Sequence, residues 1–274
     1  MSMHTQESEV LTALRSKQQA VWSSGDYNKI AALTVGVNET LVASAGITPG
    51  ERVLDVATGT GHTALAAARA GGRVTGIDYV PGLLDIARLR AAAERLDVGF
   101  VEAPAEELPF ADGSFDVAVS SIGVMFAADH ERAAAELVRV VRPGGRVAVA
   151  SWTRSGFVGG MLATVGRHVA PPLGAQSPVR WGEEEIVAEL LGTEVQEVRS
   201  SLHRVTQRFG SADSFADLFL TSYGPTHAAA EKLDERGRAA FRADLVAHAE
   251  AHALVGVPGF VSEWEYRIVQ ATRR

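Results

Sequence analysis

The feature that most constrains the fold is a regular alternation of short apolar segments with longer, helix-like segments between residues 52 and 152. The predicted strands are 52–57, 73–79, 98–103, 115–121 and 145–152, and the predicted helices are 62–70, 82–96 and 129–141. Strands that alternate with helices pair in parallel, and strands covered on both faces are rich in Val, Ile and Ala throughout. The pattern therefore predicts an α/β fold, a parallel sheet with helices on both faces.

The flanking segments are predicted to be mostly helical. Helices are expected at 6–21 and 28–45 before the alternation, and at 157–170, 183–191, 211–222 and 226–254 after it. Residues 194–209 and the terminal EWEYRIVQATRR are predicted to be extended. Because no clear linker interrupts the chain, we expect one domain over 1–274. Its parts would be an N-terminal helical cap (1–50), a ligand-binding core (51–153) and a substrate-side region (154–274) whose helical insertion (211–254) forms a lid.

Composition excludes several classes of protein. The chain has 274 residues, no cysteine and a net charge of -7. Without cysteine there is no disulfide and no thiolate metal site, and the negative charge disfavours a general nucleic-acid binder, which needs a basic face. No segment reaches the roughly 18 apolar residues of a membrane span, and the first twenty residues lack the apolar run of a secretory signal. We expect a cytoplasmic protein without nucleic-acid or membrane partners.

A glycine turn follows the first predicted strand and is the expected ligand site. Ligands of open parallel sheets bind at the carboxyl ends of the strands. The spacing Gly59-x-Gly61-x-x-Ala64 fits the dinucleotide fingerprint, and the helix start behind it offers free N–H groups to an anion. Asp78 ends the second predicted strand, 17 positions after Gly61, where a carboxylate can accept both hydroxyls of a ribose. NAD and S-adenosylmethionine (SAM) both satisfy these features.

Asp55 distinguishes the two cofactors. It lies inside the strand that precedes the turn. A carboxylate there would repel a pyrophosphate but could hold an ammonium group. SAM carries an ammonium, a carboxylate, a sulfonium and a ribose diol, which suits two aspartates flanking one turn. The charge pattern favours SAM, and an NAD-dependent oxidoreductase remains the alternative.

Four segments resemble, in order and spacing, the motifs of class I (Rossmann-like) SAM-dependent methyltransferases of the small-molecule and quinone-biosynthesis group. They are VLDVATGTGHTAL, VTGIDY, AEELPFADGSFDVAVSS and ELVRVVRPGGRVAVASW. The resemblance covers about residues 20–153 and implies a seven-stranded, mostly parallel sheet in the order 3-2-1-4-5-7-6. It also implies methyl transfer from SAM, which leaves S-adenosylhomocysteine (SAH), to O, C or N of a small molecule. Apolar residues after the fourth and fifth predicted strands, Met125 and Trp152 among them, favour an apolar or aromatic metabolite as the acceptor.

The resemblance assigns cofactor-binding roles to matching positions. They are Trp22, Tyr27, Asp55, Ala57, Gly59, Gly61, Asp78, Tyr79, Ala105, Glu106 and Ser121. The methionine part would be lined by Asp55, Ala57, Gly59 and Gly61. Asp78 would bind the ribose, and Tyr79 would lie against the adenine. Ala105 and Glu106 would border the adenine edge, and the backbone of Ser121 would lie near the amino group.

Three of these assignments carry a departure or an alternative. Trp22 and Tyr27 match an aromatic pair that closes over the cofactor in relatives, and a helix-packing cluster is the alternative. Ala57 stands where the family usually has its first glycine. Pro104 stands where an aspartate often precedes the AE pair, so Glu106 or backbone carbonyls would take over the contact to the adenine amino group.

No universal catalytic residue is expected, because methyl transfer mainly needs alignment and uses a base only when the nucleophile must lose a proton. The candidate bases are His130, otherwise a helix-start residue, and His168, otherwise a partly exposed helical residue. Met125, Trp152 and His168 are the expected substrate contacts. His248 and His252 are four residues apart but lack a third ligand, so no metal is expected. A SAM- or SAH-binding protein without catalysis is a further alternative. We expect the protein to be a monomer or a homodimer.

Overall fold

A seven-stranded sheet organises the chain, whose computed structural model describes residues 3–274, with side chains described from residue 11 onward. The strands are β1 (Arg52–Val56), β2 (Arg73–Asp78), β3 (Val98–Glu102), β4 (Phe115–Ser121), β5 (Val141–Trp152), β6 (Val195–Phe209) and β7 (Phe260–Arg273). Their order is β3-β2-β1-β4-β5-β7-β6, which confirms the predicted order. The pairs among β1 to β5 are parallel, as the alternation of strands and helices predicted.

Eleven α-helices surround the sheet within residues 3–274. They are α1 (Met3–Trp22), α2 (Tyr27–Ala31), α3 (Val35–Ala45), α4 (His62–Arg69), α5 (Pro81–Glu94), α6 (His130–Val140), α7 (Phe157–His168), α8 (Glu184–Leu191), α9 (Ala212–Ser222), α10 (Gly224–Glu231) and α11 (Glu235–Ala251). Three short 3₁₀ turns lie at Ala32–Thr34, Val124–Phe126 and Pro178–Gly182. Within this part of the chain, no helix combines the length and the apolar character needed to cross a bilayer. The predicted helical insertion before the last strand is confirmed and consists of α9, α10 and α11.

Three predicted boundaries are wrong. The helix predicted at 28–45 is interrupted by the 3₁₀ turn at Ala32–Thr34, and the helix predicted at 226–254 stops at Glu231. It restarts after Asp234, whose carboxylate accepts the N–H of Gly237 at 2.7 Å and caps the new helix. β5 begins at Val141, directly after α6, because a shift in its register to β4 accommodates Pro143 and Gly144 within the strand.

The described chain forms two compact units, which we name by their composition. The sheet unit comprises Thr34–Ser151, Gln176–Leu202 and Arg267–Arg274. The aromatic unit comprises the described residues up to Leu33, Trp152–Ala175 and His203–Tyr266. This division follows packing alone, so the single domain expected over 1–274 stays a prediction.

Small aliphatic side chains fill the interior of the sheet unit. Val53, Leu54 and Val56 of β1 are fully buried, as are Ala64 and Ala67 of α4. Short side chains on the helix allow its backbone to approach the strands closely. This close packing brings the start of α4 to the carboxyl ends of β1 and β2, where the candidate site lies.

Aromatic rings fill the interior of the aromatic unit. Phe157, at the start of α7, stacks on Trp264 of β7 with ring centroids 5.2 Å apart and planes 4° from parallel. It also meets Phe215 of α9 edge to face at 5.2 Å. Trp152 contacts Trp264 at 5.9 Å. These rings join α7, the helical insertion and β7 into one core.

Candidate cofactor site at the carboxyl ends of β1, β2 and β4

The turn after β1 is compact and held by backbone hydrogen bonds. The N–H of Thr58 donates to the carbonyl of Ile77 at 2.7 Å, and the N–H of Gly61 donates to the carbonyl of Thr58 at 2.9 Å. Gly61 has φ +86°, and a Cβ there would lie 2.9 Å from the Cβ of Ala87. Only glycine satisfies both this backbone conformation and this close approach. Gly61 therefore fixes the start of α4 against α5.

Ala57 adopts a backbone conformation that favours glycine. Its φ is +55°, in the left-handed region. Left-handed backbone costs an L-residue roughly 1–2 kcal/mol relative to the right-handed helical region. Alanine in place of the family's usual glycine at this position is therefore accompanied by local strain in the turn.

Asp55 is a buried carboxylate with one oxygen unsatisfied. The side chain is 1% exposed. Thr58 Oγ1 donates to Asp55 Oδ2 at 2.5 Å, whereas Oδ1 accepts no hydrogen bond from any residue that the structure describes. Burial raises the pKa of Asp55 to about 7, against the opposing effects of the Thr58 hydroxyl and the backbone N–H of Ala64. A cationic or hydrogen-bond-donating group at Oδ1 would stabilise the ionised carboxylate.

Asp78 clamps the ends of β1 and β2 together. Its Oδ2 accepts the N–H of Gly59 at 2.9 Å, and its Oδ1 accepts the N–H of Val80 at 2.9 Å. Burial raises the pKa of Asp78 to about 6, although these backbone N–H groups favour the charged form. Each carboxylate oxygen has a second acceptor position. Asp78 can therefore hold the turn and still accept hydroxyl groups from a ligand.

Ser120 and Ser121 end β4 beside this turn. Ser120 Oγ donates to the carbonyl of Val56 at 2.7 Å and accepts the N–H of Val124 at 2.9 Å. The buried Ser121 Oγ has no partner within the described chain. The sequence predicts Ser121 as a site residue but not Ser120, because the partners of Ser120 are backbone atoms that no side-chain pattern reveals.

The other positions near the predicted adenine edge have structural contacts of their own. Glu106 is buried, and its Oε1 accepts the N–H groups of Ala128 at 2.6 Å and Asp129 at 3.3 Å. Ala105 is buried and Tyr79 is half-buried. Glu106 therefore holds the segment that leads into α6.

Buried polar oxygens without partners lie in the segments that end β1 and β4. Besides Asp55 Oδ1 and Ser121 Oγ, Thr60 Oγ1 is buried without a partner among the described residues. A buried polar atom that makes no hydrogen bond costs about 1–3 kcal/mol. Several such atoms at the ends of the neighbouring strands β1 and β4 indicate a polar ligand that supplies the missing hydrogen bonds. The residues present therefore fit a ligand with an ammonium group and hydroxyl groups.

Met125 lies between β4 and α6, His130 is the first residue of α6, and both side chains are fully buried. Burial lowers the pKa of His130 to about 4, so the imidazole is neutral at neutral pH. Its ring meets Trp181 edge to face at 5.9 Å. Asp129 caps α6 by accepting the N–H of Arg132 at 2.9 Å, as the sequence predicted. His130 thus has the helix-start position that was the alternative to a catalytic role.

The remaining predicted site residues belong to the aromatic unit. Trp22 and Tyr27 meet edge to face at 5.3 Å, and Trp22 also meets Tyr223 at 5.7 Å. Trp152 is buried against Trp264. His168 Nε2 lies 2.8 Å from Asp244 Oδ2, an interaction that joins α7 to α11. The structure thus groups the predicted site residues into one set in each unit.

A metal centre was not expected from the sequence. Across the part of the chain that the structure describes, His, Asp and Glu form no group of three or more that could hold a metal ion. His248 and His252 lie 4.4 Å apart by ring centroids. Each uses one ring nitrogen on a backbone carbonyl, of Phe157 and of His248 respectively.

Comparison with known proteins agrees with the fold. Residues 54–149 match the family model for a methyltransferase domain. An uncharacterized protein of Mycobacterium tuberculosis is 42% identical over 267 residues, which cover 95% of this chain and 96% of the relative. The demethylmenaquinone methyltransferase of Deinococcus radiodurans is 37% identical over 154 residues, 54% of this chain and 64% of that protein.

A solved structure shows the same fold. The YcgJ protein from Bacillus subtilis aligns with a TM-score of 0.59 and 18% identity, over 88% of this chain and 98% of that chain. The matched family region contains most of β1, all of β2 and β4, and the turns described above. The chain belongs to the class I SAM-dependent methyltransferases.

Proposed function

We propose that this protein transfers a methyl group from SAM to O, C or N of a small apolar or aromatic molecule. The observation that carries the proposal is the buried Asp55 carboxylate, whose Oδ1 makes no hydrogen bond to any described residue. This carboxylate lies beside the turn that Asp78 holds closed. SAM supplies a methyl group bound to a positively charged sulfur. An ammonium on the same molecule would satisfy Asp55.

In this proposal the segments that end β1, β2 and β4 bind the cofactor. Asp55 accepts hydrogen bonds from the ammonium group, and Asp78 accepts them from the ribose hydroxyls through its remaining acceptor positions. Tyr79 and Ala105 border the adenine. Because Glu106 Oε1 already accepts two backbone N–H groups, we assign the contact to the adenine amino group to backbone carbonyls.

The catalytic contribution that we propose is alignment and exclusion of water. Held reactants gain most from a near-attack geometry, and the rigid turns after β1 and β4 are suited to fix it. His130 is a neutral, buried imidazole, so it could act as a base only toward an acceptor that reaches the interior. His168 already interacts with Asp244. We therefore assign neither histidine as a required base.

An apolar acceptor is supported by two observations. Met125, in the turn that follows β4, is fully buried and offers a polarisable apolar contact. The matched D. radiodurans protein is named for demethylmenaquinone, an apolar ring compound. We propose that Met125 contacts an acceptor of this chemical class.

Calorimetric titration with SAH tests the cofactor assignment. We expect the wild type to bind SAH and the Asp78→Ala variant to bind it roughly 10–100-fold more weakly, the range for losing hydrogen bonds to a charged group. Asp85→Ala is the matched control, because Asp85 is a solvent-exposed carboxylate on α5. Failure of the wild type to bind SAH would refute the proposal.

Two further titrations separate the alternatives. Binding of NADH but not SAH would favour the oxidoreductase. Binding of SAM with no transfer of labelled methyl to any phenol, quinol, amine or carboxylic acid in a broad panel would favour a cofactor-binding protein without catalysis. We expect methyl transfer to at least one apolar aromatic acceptor.

A further inference from the structure

We infer that Ser120 is a positioning residue that couples the cofactor turn after β1 to the turn Val124–Phe126 on the acceptor side. The inference rests on the proposed function, because it assumes that the first turn binds SAM or SAH. It assigns a role to a hydroxyl group that contacts neither reactant in the proposal. That role is to fix the distance between the two turns that flank the reaction.

The hydroxyl of Ser120 links the two turns directly. It is completely buried in β4. Its proton goes to the carbonyl of Val56, the last residue of β1, at 2.7 Å, and its lone pair accepts the N–H of Val124 at 2.9 Å. Because a serine has one hydroxyl proton, this donor has a single strong orientation. A displacement of the β1 end is therefore transmitted to the first residue of the acceptor-side turn.

Neighbouring contacts leave the linked segments little freedom to move separately. A Cβ at Gly123 would lie 2.8 Å from both the Cβ and the carbonyl oxygen of Ala57, and 3.1 Å from Ser120 Oγ. Ile122 has φ +53°, an unusual value for a β-branched residue, and its N–H donates to the carbonyl of Ala150 at 2.8 Å. The chain after β4 thus lies directly against the cofactor turn at Gly123 and is hydrogen-bonded to β5 at Ile122.

Precise spacing between these turns matters for the proposed reaction. The turn Val124–Phe126 carries Met125, the proposed acceptor contact, and the residues after Val56 form the proposed cofactor turn. In-line transfer tolerates little misalignment, and a misplacement of about 1 Å can cost on the order of 100-fold in rate. A buried hydroxyl that joins the two backbones supplies this spacing without contacting either reactant.

Hydrogen–deuterium exchange with SAH as the probe tests the coupling without an acceptor. In the wild type we expect SAH to slow exchange in peptides covering both 57–61 and 123–127. In Ser120→Ala we expect SAH to bind with an affinity within roughly threefold of wild type and to protect 57–61 as before. Protection of 123–127 should fall by about half or more, because the link to Val124 is absent.

Two control variants separate coupling from a general loss of structure. Ser120→Thr keeps the hydroxyl and should restore the protection of 123–127. Ser151→Ala removes a buried hydroxyl of β5 that makes no hydrogen bond in the described chain, so both protected regions should be unchanged. Ser120→Cys replaces the hydroxyl with a weaker donor and acceptor and should give an intermediate loss, which also serves if Ser120→Ala does not fold.

The outcomes distinguish the coupling from the function on which it rests. If Ser120→Ala binds SAH and protects 123–127 as fully as the wild type, the coupling is wrong and the cofactor assignment stands. Equal losses of protection in Ser120→Ala, Ser120→Thr and Ser151→Ala would also overturn it. If the wild type does not bind SAH at all, the proposed function fails first and the coupling fails with it.

Discussion

The sheet unit and the aromatic unit are stabilised by different kinds of contact. In the sheet unit small aliphatic residues pack around β1 and the chain turns sharply at the strand ends. Among the described residues, all four non-glycine residues with positive φ belong to this unit: Ala57, Arg95, Ile122 and Glu197. The buried carboxylates Asp55 and Asp78 are there too. The sheet unit therefore contains backbone strain and polar groups whose charged forms are destabilised by burial.

The aromatic unit shows the opposite arrangement. Stacked and edge-to-face rings fill its interior, and several of its polar side chains have partners close by. His248 lies 2.8 Å from the carbonyl of Phe157, Thr153 donates to Glu265 at 3.0 Å, and Gln207 donates to the carbonyl of Leu33 at 2.6 Å. Ligand binding therefore stabilises the sheet unit most, because a ligand can satisfy its unpaired polar atoms and offset its backbone strain.

Removing a central ring of the aromatic unit should have the largest effect on stability. We expect Phe157→Ala to lower the free energy of unfolding by about 3–5 kcal/mol, because the ring is fully buried and stacked on Trp264. Urea denaturation measures the change. Phe100→Ala, at a half-buried ring of β3, is the matched control and should lose clearly less. Equal losses would show that ring packing does not distinguish the two units.

The pH dependence of stability should differ between the wild type and Asp55→Asn. Burial raises the pKa of folded Asp55 from 3.8 to about 7, so the folded state binds this proton more tightly than the unfolded state. The Asp55 contribution therefore favours folding below about pH 4 and is lost as the pH rises to 7. Over that range the stability of Asp55→Asn relative to wild type should rise with pH by at most about 1.4 kcal/mol per unit.

A second variant checks the assignment of this pH window. Burial raises the pKa of Asp78 to about 6. The difference in stability between Asp78→Asn and wild type should therefore stop rising about one pH unit lower than the difference for Asp55→Asn. Denaturation between pH 4 and 8 without SAM or SAH measures both variants. A constant difference between Asp55→Asn and wild type over this range would contradict the proposed cost of the buried carboxylate.

The sequence predicted the sheet unit more completely than the aromatic unit, for a physical reason. The alternation of strands and helices, the glycine turn and the positions of Asp55 and Asp78 follow from residues that are close together in the chain, and the strand order followed from the resemblance to the methyltransferase family. The stacking of Phe157 on Trp264 joins segments that are far apart in the sequence. No local sequence pattern predicts this contact between the two rings. Predicted helices in these flanking segments were correspondingly too long at 28–45 and 226–254.

Within the site, the sequence indicated side-chain chemistry but not backbone partners. Asp55 stood out because a carboxylate inside a buried strand is unusual. Ser120 did not, because a serine in a strand is ordinary and its role depends on the carbonyl of Val56 and the N–H of Val124. Ala57 was visible as a departure from the family, whereas its left-handed conformation was visible only in the structure.

Replacing Ala57 with glycine should have the smallest effect, and a favourable one. Glycine adopts φ +55° without the steric cost that alanine has there. The gain is partly offset because glycine loses more conformational entropy on folding, so we expect the free energy of unfolding to rise by about 0.5–1 kcal/mol. Ala64→Gly, in α4, is the matched control and should destabilise the protein by about 1 kcal/mol or more.

The sign of the Ala57→Gly change decides whether strain is a real property of the sheet unit. If Ala57→Gly stabilises the protein while SAH affinity falls, the strained alanine holds the turn in its binding conformation. The turn is then already ordered for SAH before SAH binds. If Ala57→Gly destabilises as much as Ala64→Gly, the contact of the Ala57 Cβ with Gly123 outweighs the backbone strain. The sheet unit would then be optimised by close packing, as the aromatic unit is.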